Sequence, residues 1–246
     1  MNVLILMAGT HPSFEQAGYA FPRNLVQVRD RPVLQHVLEN LLPLQSIGGK
    51  LCALVHRDED RRFHTSQVLH LLDPAIGIQL VEGQTAGALC TALLGVESID
   101  REQPLVITNG DILMDCDLRQ AVEDFQQRQL DGGAVVFRDI HPRWSFVKLD
   151  AQGHAIEAAE KRPISHHATT GFYYYQRGGD FLEAAFRSLL KDAHVDGAFY
   201  ICPVFNEMIL QQKRIGIWPI ERSRYHTLKT AEDIRSYEER LPSLSE

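Results

Sequence analysis

The chain alternates between short, mostly apolar runs and longer stretches in which apolar residues recur every three or four positions. Val3 to Met7, Leu51 to Val55, Ile76 to Val81 and Pro104 to Thr108 are runs of the first kind, the pattern of strands buried on both faces. Helical stripes lie between them. Pro32 suits the first turn of a helix that carries Val33, Leu34, Val37, Leu38, Leu41 and Leu42 on one face, since its fixed φ is preset for that position. Arg61 to Leu72, Gly87 to Val96 and Leu118 to Gln129 read as further helices. Such alternation argues for a mostly parallel sheet covered on both sides.

The second half changes character. Gly133 to Phe137 reads as a strand, and Ser145 to Leu149 and His154 to Ala158 flank Asp150-Ala-Gln-Gly153 as a hairpin. Gly171 to Tyr175 and Gly216 to Ile220 add strands. Asp180 to Lys191, Phe205 to Gln212 and Thr230 to Leu241 add helices. No Pro/Gly/Ser-rich linker divides the 246 residues, so one domain with a β-rich C-terminal portion is expected.

Charge and cysteine usage narrow the partners. A formal net charge of −7 argues against a broad nucleic-acid or anionic-membrane footprint. No apolar run approaches the ~20 residues that span a bilayer. Val3 to Met7 lacks the basic lead and cleavage site of a signal peptide. Cys52, Cys90, Cys116 and Cys202 form no close pair. Free core thiols and a cytoplasmic location are the expectation. Only His166 and His167 are adjacent among the histidines, and no zinc-ligand spacing occurs.

Candidate chemistry collects at strand ends. Ala8-Gly9 and Thr10 follow the first apolar run, where a small-residue turn lets phosphate reach backbone N–H groups. Pro22-Arg23 precedes the next run and supplies a cation. Asn109-Gly110-Asp111 follows the strand at Pro104 to Thr108, a position where open α/β sheets collect ligands. One carboxylate there suits a Mg²⁺ ion that takes its other ligands from water and phosphate. Asp115-Cys116-Asp117 offers a second acidic motif, although Asp117 also suits the N-cap of the helix at Leu118. Glu160-Lys161 adds an acceptor for hydroxyl groups and a point charge for phosphate.

In order and spacing, these motifs resemble the sugar-phosphate nucleotidyltransferases, also called nucleoside-diphosphate-sugar pyrophosphorylases. Leu6-Met-Ala-Gly9 is similar to that family's Leu-Ala-Ala-Gly opening, and Pro22-Arg23 to its Pro-Lys. Val28-Arg-Asp-Arg-Pro32 resembles Val-x-Gly-Lys-Pro, and Thr85-Ala-Gly-Ala88 the stretch that faces the base. Asn109-Gly-Asp111 is similar to the metal-binding strand end and Glu160-Lys161 to the pair over the sugar phosphate. The resemblance implies a GT-A-like mononucleotide-binding α/β fold with a mostly parallel mixed sheet. It implies a nucleotide-binding half over residues 1–130 and a substrate-binding half over 131–246. The implied partners are a nucleoside triphosphate, a small phosphorylated substrate and Mg²⁺, with a homo-oligomer as a further expectation. Carried over by position, Ala8, Gly9, Thr10, Thr85, Gly87, Asn109 and Gly110 bind nucleotide. Arg23, Asp111 and Lys161 are catalytic, Asp111 holds the metal, and Glu160, Lys161 and Gly171 bind the second substrate.

Departures from the family pattern matter as much. The family's loop continues Gly-x-Gly-x-Arg, whereas here His11 stands for the second glycine and Ser13 for the arginine. Near the C-terminus the family carries Trp-x-Asp-x-Gly-Thr, while this chain reads Tyr225-His-Thr-Leu-Lys-Thr230. Thr227 takes the place of a second metal carboxylate, and Lys229 that of the glycine. Loss of one charge-stabilising contact costs about 3–4 kcal/mol in the transition state. Two alternatives to nucleotidyl transfer therefore stand beside it. One is a degenerate relative that binds nucleotide or nucleotide sugar without turnover; the other is a GT-A glycosyltransferase using Asp115 and Asp117.

Overall fold

The computed structural model describes residues 1–9 and 12–241. Thr10 and His11, both singled out from the sequence, lie outside the described residues. In chain order the strands are β1 (Asn2–Leu6), β2 (Gln27–Val28), β3 (Arg31–Pro32), β4 (Lys50–His56), β5 (Gly77–Val81), β6 (Leu105–Asn109) and β7 (Ile112–Met114). They continue with β8 (Gly132–Arg138), β9 (Ser145–Leu149), β10 (Ala155–Glu160), β11 (His167–Tyr175), β12 (Ile215–Pro219) and β13 (Tyr225–Thr227). The helices are α1 (Pro12–Gln16), α2 (Val33–Leu41), α3 (Arg57–Phe63), α4 (Thr65–Leu72), α5 (Ala88–Leu94), α6 (Leu118–Gln127), α7 (Gly178–Leu190), α8 (Val204–Leu210) and α9 (Ala231–Arg240).

β1 lies between β4 and β6, all three parallel, and β5 extends this parallel layer. The alternation along β1 shows why it is apolar at every position. Val3, Ile5 and Met7 enter one core with α2, α4, α6 and α9, while Leu4 and Leu6 enter the other with α5, α7 and α8. Each fully buried aliphatic side chain contributes roughly 1.5–3 kcal/mol, so the two helical layers hold the sheet from both faces.

β11 turns the sheet from parallel to mixed, pairing antiparallel with β6 through Phe172–Tyr175. Its opposite edge carries β8 along most of its length, with β12 parallel beyond. On the β6 side the N-terminal end of β11 meets β9 instead, at Ala168–Phe146. β6 and β9 thus occupy two ends of one strand edge and leave a gap at residues 169–171. Gly171 sits in that gap at φ +96°, and the register against β8 shifts between Thr169 and Tyr173. The bulge turns the Thr170 carbonyl towards Tyr225, whose hydroxyl donates to it at 2.9 Å.

Most apolar runs form the expected elements, with two differences of substance. The helix expected over Arg61 to Leu72 is two helices, α3 and α4, broken at His64 with φ +56°. Side chains of α3 drive the break: the Asp60 carboxylate accepts from the Ser66 N–H and Glu59 from the Thr65 hydroxyl. β11 also begins at His167, four residues before the expected start at Gly171. Helix α9 starts where expected, with a capping box between Thr230 and Asp233.

Gly87 precedes α5 at φ +111° and ψ 177°, a region open essentially to glycine. A Cβ there would stand 2.4 Å from the Phe199 carbonyl oxygen. Gly87→Ala is therefore expected to cost at least about 3 kcal/mol of unfolding free energy. Gly83→Ala, at φ +64° with nothing within 4 Å, should cost about 1 kcal/mol. Urea denaturation of both variants checks the order; equal losses would refute the close-approach account.

Candidate active site

A cleft of ≈ 550 Å³ opens at the carboxyl rim of the parallel strands, where β6 and β9 part along β11. Ala8 and Gly9 after β1, Arg23, and Asn109 and Asp111 after β6 line one part of it. Thr85 and Gly87 line a second part before α5. Ser145, Glu160, Thr169, Thr170, Gly171, Tyr173 and Tyr200 line a third, rich in hydroxyl groups.

Arg23 begins a short 3-10 turn, Arg23–Leu25, placed by Pro22 at φ −64°. Its guanidinium is 3 % exposed and donates from Nη1 to Asp111 Oδ2 at 2.9 Å. Asp111 is itself only 7 % exposed. Arg23 Nη2 donates to Asn24 Oδ1 at 3.0 Å. The Asn24 amide in turn donates to the Met7 carbonyl at 3.1 Å and to Glu59 Oε1 at 2.9 Å. Burial lowers the Arg23 pKa from its ordinary value, with Asp111 and Glu59 opposing. Burial raises that of Glu59, against the hydrogen bonds from Asn24 and Thr65 and the charges of Arg23 and His56. The guanidinium is therefore a fixed charge between two acids.

At the hydroxyl-rich end, Ser145 Oγ donates to Glu160 Oε2, and the Thr169 and Tyr173 hydroxyls share a hydrogen bond of 2.9 Å. Burial raises the Glu160 pKa; the Ser145 hydroxyl and the Lys161 and Lys229 ammoniums oppose it. Tyr173 is held well above the usual phenol range, chiefly by burial, and stays neutral.

Of the residues singled out from the sequence, Ala8, Gly9, Arg23, Thr85, Gly87, Asn109, Asp111, Glu160 and Gly171 line this cleft. Gly110 packs behind it, its N–H donating to the Leu6 carbonyl, and a Cβ there would meet Met7 Cγ at 2.4 Å. Lys161 stands apart from the lining: its ammonium pairs with Asp196 at 3.1 Å over the Tyr200 ring. Ser13 lies exposed on α1 and does not line the cleft. Asp115 pairs with His226 at 2.7 Å, and Asp117 caps α6 by accepting from the Arg119 N–H at 3.0 Å. Neither lines the cleft.

Sequence reasoning gave no site role to Arg143, Trp144 or Lys229, which do line it. Lys229 is brought there by the β7–β13 ribbon, in which Thr227 pairs with Ile112. That pairing sets Leu228 N–H on the Asp111 carbonyl at 2.8 Å. Three-residue strands carry almost no periodicity, so only the register reveals the approach.

Against known proteins, the model of the nucleotidyl transferase family matches residues 4–198. The chain belongs to the nucleotidyl transferase family. Solved structures agree in fold. A nucleoside-diphosphate-sugar pyrophosphorylase from Vibrio cholerae RC9 superposes with a TM-score of 0.81 at 24 % identity, covering 97 % of this chain and 100 % of that one. A UDP-glucose pyrophosphorylase complexed with UDP-glucose gives 0.74 at 16 % identity, with 97 % of each chain covered. Among curated proteins, none matches significantly. No helix of the described residues is long and apolar enough to cross a membrane.

Two outcomes follow from the geometry of this cleft. Removing one partner of a buried ion pair costs about 3–5 kcal/mol, so Arg23→Met and Asp111→Asn should each destabilise by that amount. The double variant should recover most of the loss, because both charges leave together; additive losses in urea titrations would refute the coupling. For Glu160 the folded pKa lies above its ordinary 4.5. The folded state then binds that proton more tightly, and its stability falls as pH rises from 4.5 through the folded value. Glu160→Gln cannot ionise, so its stability advantage over the parent should widen from pH 4 to pH 7. An advantage that narrows over this range would reverse the sign and exclude burial as the cause.

Proposed function

We propose that the chain transfers a nucleoside monophosphate from a nucleoside triphosphate to a phosphorylated sugar. A phosphate oxygen of the sugar attacks the α-phosphorus and forms a new P–O bond. The bond from that phosphorus to the α–β bridging oxygen breaks, and pyrophosphate leaves with the electron pair. The observation that carries this reading is the shared cleft, with Gly9, Arg23 and Asp111 in one part and the Glu160–Ser145 hydroxyl network in another. Family membership supports it independently. Glu160 accepts sugar hydroxyls, and Arg23 faces the phosphate end. Little covalent work falls to the protein in such a transfer; alignment and charge stabilisation dominate.

The family generally uses a divalent metal. The residues present here do not fit a resident Mg²⁺. Asp111 is the acid of the described residues that lines the cleft beside Gly9 and Arg23, and the Arg23 guanidinium already engages its carboxylate at 2.9 Å. Thr227 offers a hydroxyl where the family places a second carboxylate. Protein cations therefore carry the charge stabilisation in this reading.

The experiment is a pyrophosphate-release assay over the common nucleoside triphosphates and sugar 1-phosphates, in buffer containing Mg²⁺ as the nucleotide's own counterion. At least one pair should turn over. Glu160→Gln should lower kcat/KM about tenfold to a hundredfold, the value of a hydrogen bond to a charged group. If no pair exceeds the enzyme-free blank, the transfer reading fails. Nucleotide-dependent thermal stabilisation without turnover would instead favour the binding-only relative. Transfer of sugar from an intact nucleotide sugar would favour a glycosyltransferase.

A further inference from the structure

We propose that Arg143 and Lys229 together clamp the phosphate of the second substrate. The inference rests on the transfer reading above and assigns the ligands of its acceptor phosphate.

A phosphate brought next to Glu160 is repelled by that carboxylate unless cations offset it. Among the described residues, three cationic side chains line the cleft: Arg23, Arg143 and Lys229. Arg23 is engaged with Asp111. Neither Arg143 nor Lys229 forms an ion pair with any carboxylate of the described residues; Lys161, outside the lining, pairs with Asp196 at 3.1 Å.

Both cations stand on fixed supports. The Arg143 guanidinium lies 4.4 Å from the centre of the Trp144 ring. Trp144 is buried, its indole N–H donating to Asp139 at 3.0 Å. Lys229 follows Leu228, whose N–H is bonded to the Asp111 carbonyl. Its own N–H donates to Asp233 Oδ2 at 3.0 Å, joining the cap of α9. Lys229, with Lys161, acts electrostatically on Glu160, and Arg143 on Tyr225, which lines the cleft and donates its hydroxyl to the Thr170 carbonyl. A planar guanidinium can take two phosphate oxygens while an ammonium adds a point charge. Arg143 and Lys229 supply one of each.

Steady-state kinetics of Arg143→Ala and Lys229→Ala should show KM for the sugar 1-phosphate raised about tenfold to a hundredfold. KM for the nucleoside triphosphate should move less than threefold. Lys148→Ala, an exposed charge outside the cleft, controls for net charge and should leave both constants unchanged. If Lys161→Ala alone carries the acceptor effect, the clamp is overturned. Calorimetric titration with inorganic phosphate supplies a readout independent of turnover. The parent should bind phosphate and the Arg143→Ala/Lys229→Ala variant should not, with its melting temperature retained. Equal binding by both proteins, or none by the parent, overturns the clamp. Phosphate binding lost only in the double variant, with turnover absent for every substrate pair, overturns nucleotidyl transfer while leaving the clamp standing.

Discussion

The ion pair between Arg23 and Asp111 is the constraint on which the rest of the cleft depends. Both side chains are buried, so neither charge is tolerable without the other. Their union ties the turn after Pro22 to the end of β6, two segments 88 residues apart in sequence. Asn24 extends the tie to the Met7 carbonyl beside Gly9 and to Glu59 on α3. Thr65, the first residue of α4, closes it on Glu59 at 2.9 Å. One chain of hydrogen bonds thus connects the rim of β1, the rim of β6 and two helices, and it orients the guanidinium before any substrate arrives. Preorganised charge of this kind needs no rearrangement when an anion binds, which is how electrostatic catalysis gains over water.

The second determinant is topological. A parallel sheet offers a ligand crevice where neighbouring strands depart in different directions. Here the departure is made by two strands sharing one edge of β11, and Gly171 makes it possible. At φ +96° the position favours glycine, and a Cβ there would come within 2.5 Å of Asn109 Nδ2 and displace that side chain, which lines the cleft. The same bulge turns the Thr170 carbonyl to Tyr225 and brings β13 to the cleft. A local backbone requirement at one glycine therefore governs which distant segment supplies side chains to the site.

Much of the fold was legible because burial on two faces writes itself as unbroken apolar runs. β1, β4 and β6 are of that kind, and each lies within a residue or two of its expected span. The break at His64 was not legible, since helical spacing continues across it and the competing signal is polar side chains satisfying backbone N–H groups. The early start of β11 was hidden in His167-Ala-Thr-Thr170, which lacks alternation. For the site, Gly9 and Asp111 at the strand ends and Arg23, all singled out from the sequence, line one cleft. Lys161 shows the limit of such reasoning: adjacency to Glu160 in sequence does not settle where its ammonium goes. At φ +53° the backbone at Lys161 is left-handed, and the side chain leaves towards Asp196. Arg143 belongs to no motif, and Lys229 was read only as standing for a glycine, because the β7–β13 pairing rather than the motif carries it to the cleft.

The departures at Thr227 and Lys229 are best understood jointly rather than as two losses. An acid at position 227 would gather negative charge at the rim of β7, beside an Asp111 that Arg23 already balances. The chain instead has a hydroxyl there and an ammonium two residues on. Lys229 gives this rim a cationic side chain, with the backbone kept in place by Leu228 and Asp233. A cation that belongs to the protein cannot be titrated away by chelation, but its charge is smaller and its position less adjustable than those of a divalent ion. Such a site exchanges adaptability for permanence. The buried Arg23–Asp111 pair and Lys229 are alike in placing protein charge at this rim on fixed backbone.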